Sequence, residues 1–119
     1  MKIIISGACG TMGQVLASNA AARGITVVAG VDREASHAFS YPVYGSFSDC
    51  SEAADVVIDF SNPAALPGLL AFAKGRRIPC VIATTGMDEA HHAMIREAAN
   101  DPAVLAIRIT IYRLASKAK

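Results

Sequence analysis

The sequence predicts an α/β fold of the Rossmann type, a single domain built on a doubly wound parallel sheet. Three observations predict it. Short β-branched apolar runs alternate with helical patterns along the chain. A glycine-rich loop joins the first run to the first helix. An acid closes the second run, 19 positions after the last glycine of that loop. Apolar runs without polar interruption imply strands covered on both faces. The 119 residues suffice for one core without disulfides or metal and leave no room for a second full-sized domain.

The elements follow in order. Lys2–Ser6 is too short for a helix and rich in isoleucine, so it reads as a buried strand. Residues 12–23 read as a helix with Val15, Leu16 and Ala20 on its inner face and Gly24 as its stop. Thr26–Val31 is the second strand. Residues 33–48 contain Pro42 and Gly45 and read as a loop with a short extra strand. Residues 55–60 form the next strand, and Asn62 caps the helix after it with Pro63 in the first position. Pro67-Gly68 either kinks that helix or restarts it. Residues 79–83 are a strand, and 88–100 a helix with Ala90, Met94, Ile95 and Ala98 facing inward. In 104–111, Arg108 and Thr110 alternate with apolar residues, as in a half-exposed edge strand able to pair with another chain in a homo-oligomer.

Composition excludes several classes. No apolar run approaches the ~18 residues a membrane span needs, and the N-terminus lacks a signal peptide's apolar stretch, so a cytoplasmic location and no membrane partner are expected. Cys9, Cys50 and Cys80 are odd in number and widely spaced, which indicates neither a disulfide framework nor a metal site. The net charge of +1 is uneven: residues 1–102 sum to −3, whereas 103–119 contain Arg108, Arg113, Lys117, Lys119 and no acid. Four cations without interleaved aromatics read as a solvated basic tail over 112–119, and no nucleic-acid partner is expected.

The strongest local signal is Gly7-Ala8-Cys9-Gly10-Thr11-Met12-Gly13. It follows a strand and opens a helix, the setting in which G-x-x-G-x-x-G binds a dinucleotide. Gly7 permits the turn, Gly10 lets a pyrophosphate approach the backbone, and Gly13 allows close packing of helix on sheet. The helix start then offers N–H groups and a positive dipole end. Asp32 stands where an acid accepts hydrogen bonds from an adenosine ribose, and Arg33 beside it suits a 2′-phosphate or is a solvated loop charge. NADH or NADPH is the implied cofactor. Cys9 has no histidine near it and reads as a small packing residue. His91-His92 diverge by about 100° on a helix and form no metal pair.

Two more strand ends have distinctive polar residues, Asp59-Phe60-Ser61-Asn62-Pro63 and Ala83-Thr84-Thr85-Gly86. Ligands of open α/β sheets lie outside the carboxyl ends of the strands, where Phe60 can line a ring slot and Thr84 and Thr85 can hydrogen-bond a nicotinamide. Helix capping and turn formation are the alternative roles. Together with the glycine loop, Asp32-Arg33 and Asp88-Glu89, these residues resemble the N-terminal domain of the 4-hydroxy-tetrahydrodipicolinate (dihydrodipicolinate) reductase family. The resemblance spans about residues 1–102. It implies NAD(P)H-dependent hydride transfer to a small cyclic dicarboxylate in diaminopimelate and lysine biosynthesis. It places the pyrophosphate on residues 7 to 13, the adenosine ribose on Asp32 and Arg33, and the nicotinamide half near Phe60, Ala83, Thr84 and Thr85.

The departures from the family pattern are specific. Gln14 occupies a position where the family has a basic residue. Residues 106–119 do not resemble the family's continuation. Its His-His and Lys motif and its Asp-Ala-Pro-Ser-Gly-Thr loop lie in a second domain, so residues 1–111 are expected to bind cofactor without catalytic residues of their own. Little reductase activity is expected of this chain alone. The competing readings are a stand-alone nucleotide-binding or redox-sensing module and part of another Rossmann dehydrogenase.

Overall fold

Isoleucines 3 to 5 lie at the centre of the sheet, each no more than 2% exposed, and the remaining strands add outward from them. The computed structural model describes residues 1–84 and 86–100, together with the backbone of 106–108. Its strands are β1 (Lys2–Ser6), β2 (Thr26–Val31), β3 (Val43–Tyr44), β4 (Val56–Asp59), β5 (Cys80–Ile82) and β6 (Ala106–Arg108). They form one sheet in the order β3-β2-β1-β4-β5-β6, every adjacent pair parallel. The chain order therefore reverses direction between β1 and β4, the switch point at which such sheets open a crevice.

Helix α1 (Thr11–Ala22) covers one face, and α2 (Leu66–Arg76) and α3 (Glu89–Ala99) the other. Strand order reverses at the switch point, and crossovers of one hand then place their helices on opposite faces. Under α2 and α3, Ile4, Val57, Cys80 and Ile82 pack against Leu66, Leu69 and Ile95. Under α1, Ile3, Ile5 and Val43 meet Ala20, Leu16 and Ala17. Cover is unequal. Val57 and Ile82 are fully buried, whereas Val56, Ile58 and Val81 on the opposite face are only half-buried.

Most boundaries agree with the sequence reading to within one or two residues. Gly24, at φ +76°, ends α1, with the Ile25 N–H donating to the Ala20 carbonyl at 2.9 Å. Two inward assignments were wrong. Val15 is 46% exposed, because the buried stripe of α1 runs through Gly13 and Ala20 with Leu16 and Ala17 half-buried beside them. Ala90 is exposed in the first turn of α3, where His91 is turned to the helix start and Ile95 supplies the buried contact.

The stretch after Asn62 restarts rather than kinks. The Asn62 side chain accepts from the Ala64 N–H and caps a 3-10 turn, Pro63–Ala65, and α2 begins at Leu66 with Pro67 in its first turn. The His91 ring closes a capping box on α3. Asp88 Oδ1 accepts from the His91 N–H at 3.0 Å, and His91 Nδ1 accepts from the Asp88 N–H at 3.2 Å. β6 lies at the sheet edge, as expected of the segment containing it, while the rest of 104–111 and the basic tail lie outside the described residues. Among the described residues no helix is long and apolar enough to cross a membrane, and no group of three acids, cysteines or histidines would hold a metal.

Candidate functional site

The chain leaves β1 at Gly7, whose N–H donates to the Val31 carbonyl at 2.7 Å and whose φ is +87°. A Cβ there would stand 2.8 Å from the Phe60 carbonyl group, so no other residue fits. A Cβ on Gly13 would stand 2.3 Å from the Gly7 carbonyl oxygen, because the first turn of α1 rests on the loop. Gly10 is different. Its backbone is ordinary extended chain (φ −77°, ψ 169°), and the nearest atom to a Cβ there would be 3.5 Å away. The fold itself demands glycine at 7 and 13 but not at 10, whose bare face is exposed.

The same loop leaves a helix start without a cap. Gly10, as N-cap, offers no side-chain acceptor, and no acid stands in the first turn of α1. The opening N–H groups of Thr11, Met12 and Gly13 thus have no acidic neighbour in that turn, the condition under which a helix start accepts an anion. Thr11 and Met12 are exposed. Ala8 is completely buried and contributes packing: a Cβ on Gly30 would fall 2.5 Å from that of Ala8. Gly30 was not singled out from the sequence, although a glycine inside a strand is itself a mark of close approach.

Asp32 closes β2 beside this loop. Its Oδ2 accepts from the Cys9 N–H at 2.8 Å and its Oδ1 from the Arg33 N–H at 2.7 Å. Burial, then the Asp32 charge and its hydrogen bond, push the exposed Cys9 thiol above its ordinary range. That is the opposite of what a nucleophile needs. The Gln14 side chain donates to the Cys9 carbonyl at 2.9 Å, bracing the loop. Arg33 is exposed.

Two clefts meet here. One, of about 390 Å³, lies against Gly7, Gly10 and Phe60; the other, of about 290 Å³, runs under Gly45, Ser46 and Phe47 toward Gly68. Both include Asp32, Arg33, Ser61 and Asn62, so they form one groove across the carboxyl ends of β1, β2 and β4. The Gly45–Phe47 wall was missed because it belongs to an irregular segment without periodicity.

At the ends of β4 and β5 the organiser is Asp59, 1% exposed. Its Oδ1 accepts from the Ser61 hydroxyl at 2.5 Å and from the Ser61 N–H at 3.2 Å, and its Oδ2 from the Thr84 hydroxyl at 2.6 Å. The Ala83 N–H donates to the Asp59 carbonyl at 2.9 Å, and Ala83 is buried. Burial and then the charge of Asp59 push the Cys80 thiol up to about 12. Phe60 is half-buried, and Thr85 lies outside the described residues.

The family model described as dihydrodipicolinate reductase, N-terminus, matches residues 1–110. The chain belongs to this family. A 4-hydroxy-tetrahydrodipicolinate reductase of Caldanaerobacter subterraneus is 42% identical over 102 residues, which are 85% of this chain and 40% of that protein. One from an Exiguobacterium species is 37% identical over 115 residues, 97% of this chain and 44% of its relative. The chain thus spans less than half the length of these reductases and corresponds to the family's N-terminal domain.

Solved structures agree on the fold. A short-chain dehydrogenase/reductase superfamily protein from Agrobacterium tumefaciens, solved with bound NAD, superposes with a TM-score of 0.74 at 16% identity, covering 93% of this chain and 49% of its own. Homoserine dehydrogenase from S. aureus gives 0.70 at 12% identity, covering 92% and 32%.

Proposed function

We propose that this reductase-family domain binds a nicotinamide dinucleotide in the groove across β1, β2 and β4. The observation that supports it best is the continuity of that groove: an uncapped helix start and the bare face of Gly10 at one point, the Asp32 carboxylate at the next. Donors suited to a pyrophosphate and an acceptor suited to ribose hydroxyls lie in the order a dinucleotide presents them. Gly10 with the N–H groups of Thr11, Met12 and Gly13 would hold the pyrophosphate, and Asp32 the adenosine ribose. The cleft under Gly45–Phe47 would take the adenine. Phe60, Ala83, Thr84 and Thr85 would serve the nicotinamide half.

When bound, such a cofactor supplies a hydride from its nicotinamide ring, and the family's relatives are named as reductases. The protein's part is to hold and orient it. Asp32 already accepts two backbone N–H bonds, so a ribose hydroxyl must use its remaining lone pairs or displace the Cys9 N–H. Reduction of a small cyclic dicarboxylate, with catalytic residues contributed from outside these 119 residues, completes the proposal. Both NADH and NADPH are expected to bind, since Asp32 disfavours a 2′-phosphate and Arg33 offsets that repulsion. Calorimetric titration with NADH, NADPH and coenzyme A tests the reading. Binding of coenzyme A in preference to both dinucleotides would overturn it.

A further inference from the structure

We infer that Asp59 is a positioning residue that fixes two hydroxyl groups as hydrogen-bond acceptors toward the ligand, and so selects ligand groups that donate. The inference rests on the dinucleotide reading of the groove and adds a donor–acceptor polarity to it. Asp59 is 1% exposed at the end of β4 and spans two strand ends, with the Ser61 hydroxyl on one oxygen and the Thr84 hydroxyl on the other. A carboxylate only accepts, so both hydroxyls donate their single proton inward. What each oxygen retains is a pair of lone pairs.

Ser61 lines both clefts of the groove, and Thr84 is half-buried two residues after the end of β5. The groove is therefore polarised. Its α1 end offers backbone N–H donors to a phosphate, Ser61 offers an acceptor within it, and Thr84 offers another just beyond it, past the end of β5, to ribose hydroxyls or to an amide NH₂ group. A buried carboxylate held by three donors has a high cost of rearrangement, so this polarity persists when a ligand arrives. Replacing Asp59 with asparagine keeps the shape but turns one acceptor into a donor. One hydroxyl must then send its proton into the groove or lose its partner.

The test titrates NADH and ADP against wild type, Asp59→Asn, Thr84→Val and Thr84→Ser, with a melting temperature for each. ADP lacks the nicotinamide half, and Thr84 lines neither cleft beside Asp32. Asp59→Asn is expected to weaken NADH about tenfold, as misdirecting a buried hydrogen bond would, and to weaken ADP too, because Ser61 lines the clefts proposed for the ADP half. Thr84→Val should weaken NADH and leave ADP within about twofold, while Thr84→Ser, which keeps the hydroxyl, restores NADH binding. If Asp59→Asn does not fold, the Val and Ser pair at position 84 decides alone. Unchanged NADH affinity in Asp59→Asn or in Thr84→Val, or equal losses for NADH and ADP in Thr84→Val, would overturn the inference. Absence of ADP binding by the wild type would instead overturn the dinucleotide reading beneath it.

Discussion

The Cys9 N–H and the Asp32 carboxylate meet at 2.8 Å, joining the glycine loop to the end of the second strand. Residues 23 apart in sequence thus share one hydrogen bond at the centre of the groove. The same carboxylate helps to hold the Cys9 thiol above its ordinary range, after burial, the larger cause. At pH 8 native Cys9 should react with iodoacetamide more slowly than free cysteine, because the thiolate is the reacting form. Cys50 and Cys80 are buried and should react only on unfolding. Asp32→Asn removes the charge and is expected to speed Cys9 labelling about threefold. An unchanged rate would show that the carboxylate does not face the thiol.

The glycines of the loop divide into two kinds, and stability measurements should separate them. Gly13→Ala forces a methyl group against the Gly7 carbonyl, 2.3 Å from its Cβ position, and is expected to cost about 3 kcal/mol. Gly10→Ala meets nothing closer than 3.5 Å and should cost less than about 1 kcal/mol. Denaturant unfolding of both variants measures the difference. Equal losses would refute the division.

Arg33 is exposed at the mouth of both clefts, so its effect on a 2′-phosphate is open to screening. Arg33→Ala should weaken NADPH about fivefold at low salt and less at high salt, with little change in NADH. Titration of both cofactors at two ionic strengths checks this. Equal weakening of the two would mean that Arg33 does not read the 2′ position.

The start of α3 gives a pH dependence. The His91 N–H holds the Asp88 carboxyl below the usual carboxylate range. A lowered folded-state value means that the stabilisation is full above the unfolded carboxyl's pKa and fades as pH falls through the folded value. Asp88→Ala should therefore melt a few degrees below wild type at pH 5, and the gap should close below about pH 4. A gap that persists in acid would assign the effect to something other than the ionised cap.

Much of this was legible in the residues because it rests on local rules. Isoleucine runs specify β1, Gly24 stops α1, and the spacing from Gly13 to Asp32 brings acid and loop together in the folded chain. What was hidden depends on tertiary neighbours. Asp59 is an ordinary acid in a polar motif until folding buries it between Ser61 and Thr84. Gly30 matters because Ala8 lies over it, with Val43 and Tyr41 close beside. Val15 looks like a core residue by helical spacing, yet the buried stripe of α1 passes through Gly13 and Ala20 instead. The separate roles of the three glycines, by contrast, were legible in the G-x-x-G-x-x-G pattern: a Cβ at 7 or 13 would strike backbone, and one at 10 would not.

Calorimetric titration of NADH into wild type and Gly10→Val tests the dinucleotide site most directly, with circular dichroism and melting temperature as controls on the fold. The wild type should bind one equivalent saturably. Gly10→Val should bind at least about tenfold more weakly, since its side chain projects from the bare face at the helix start, where a Cβ meets nothing closer than 3.5 Å. Equal affinity in a folded Gly10→Val, or no binding by the wild type, would contradict a dinucleotide site in this groove.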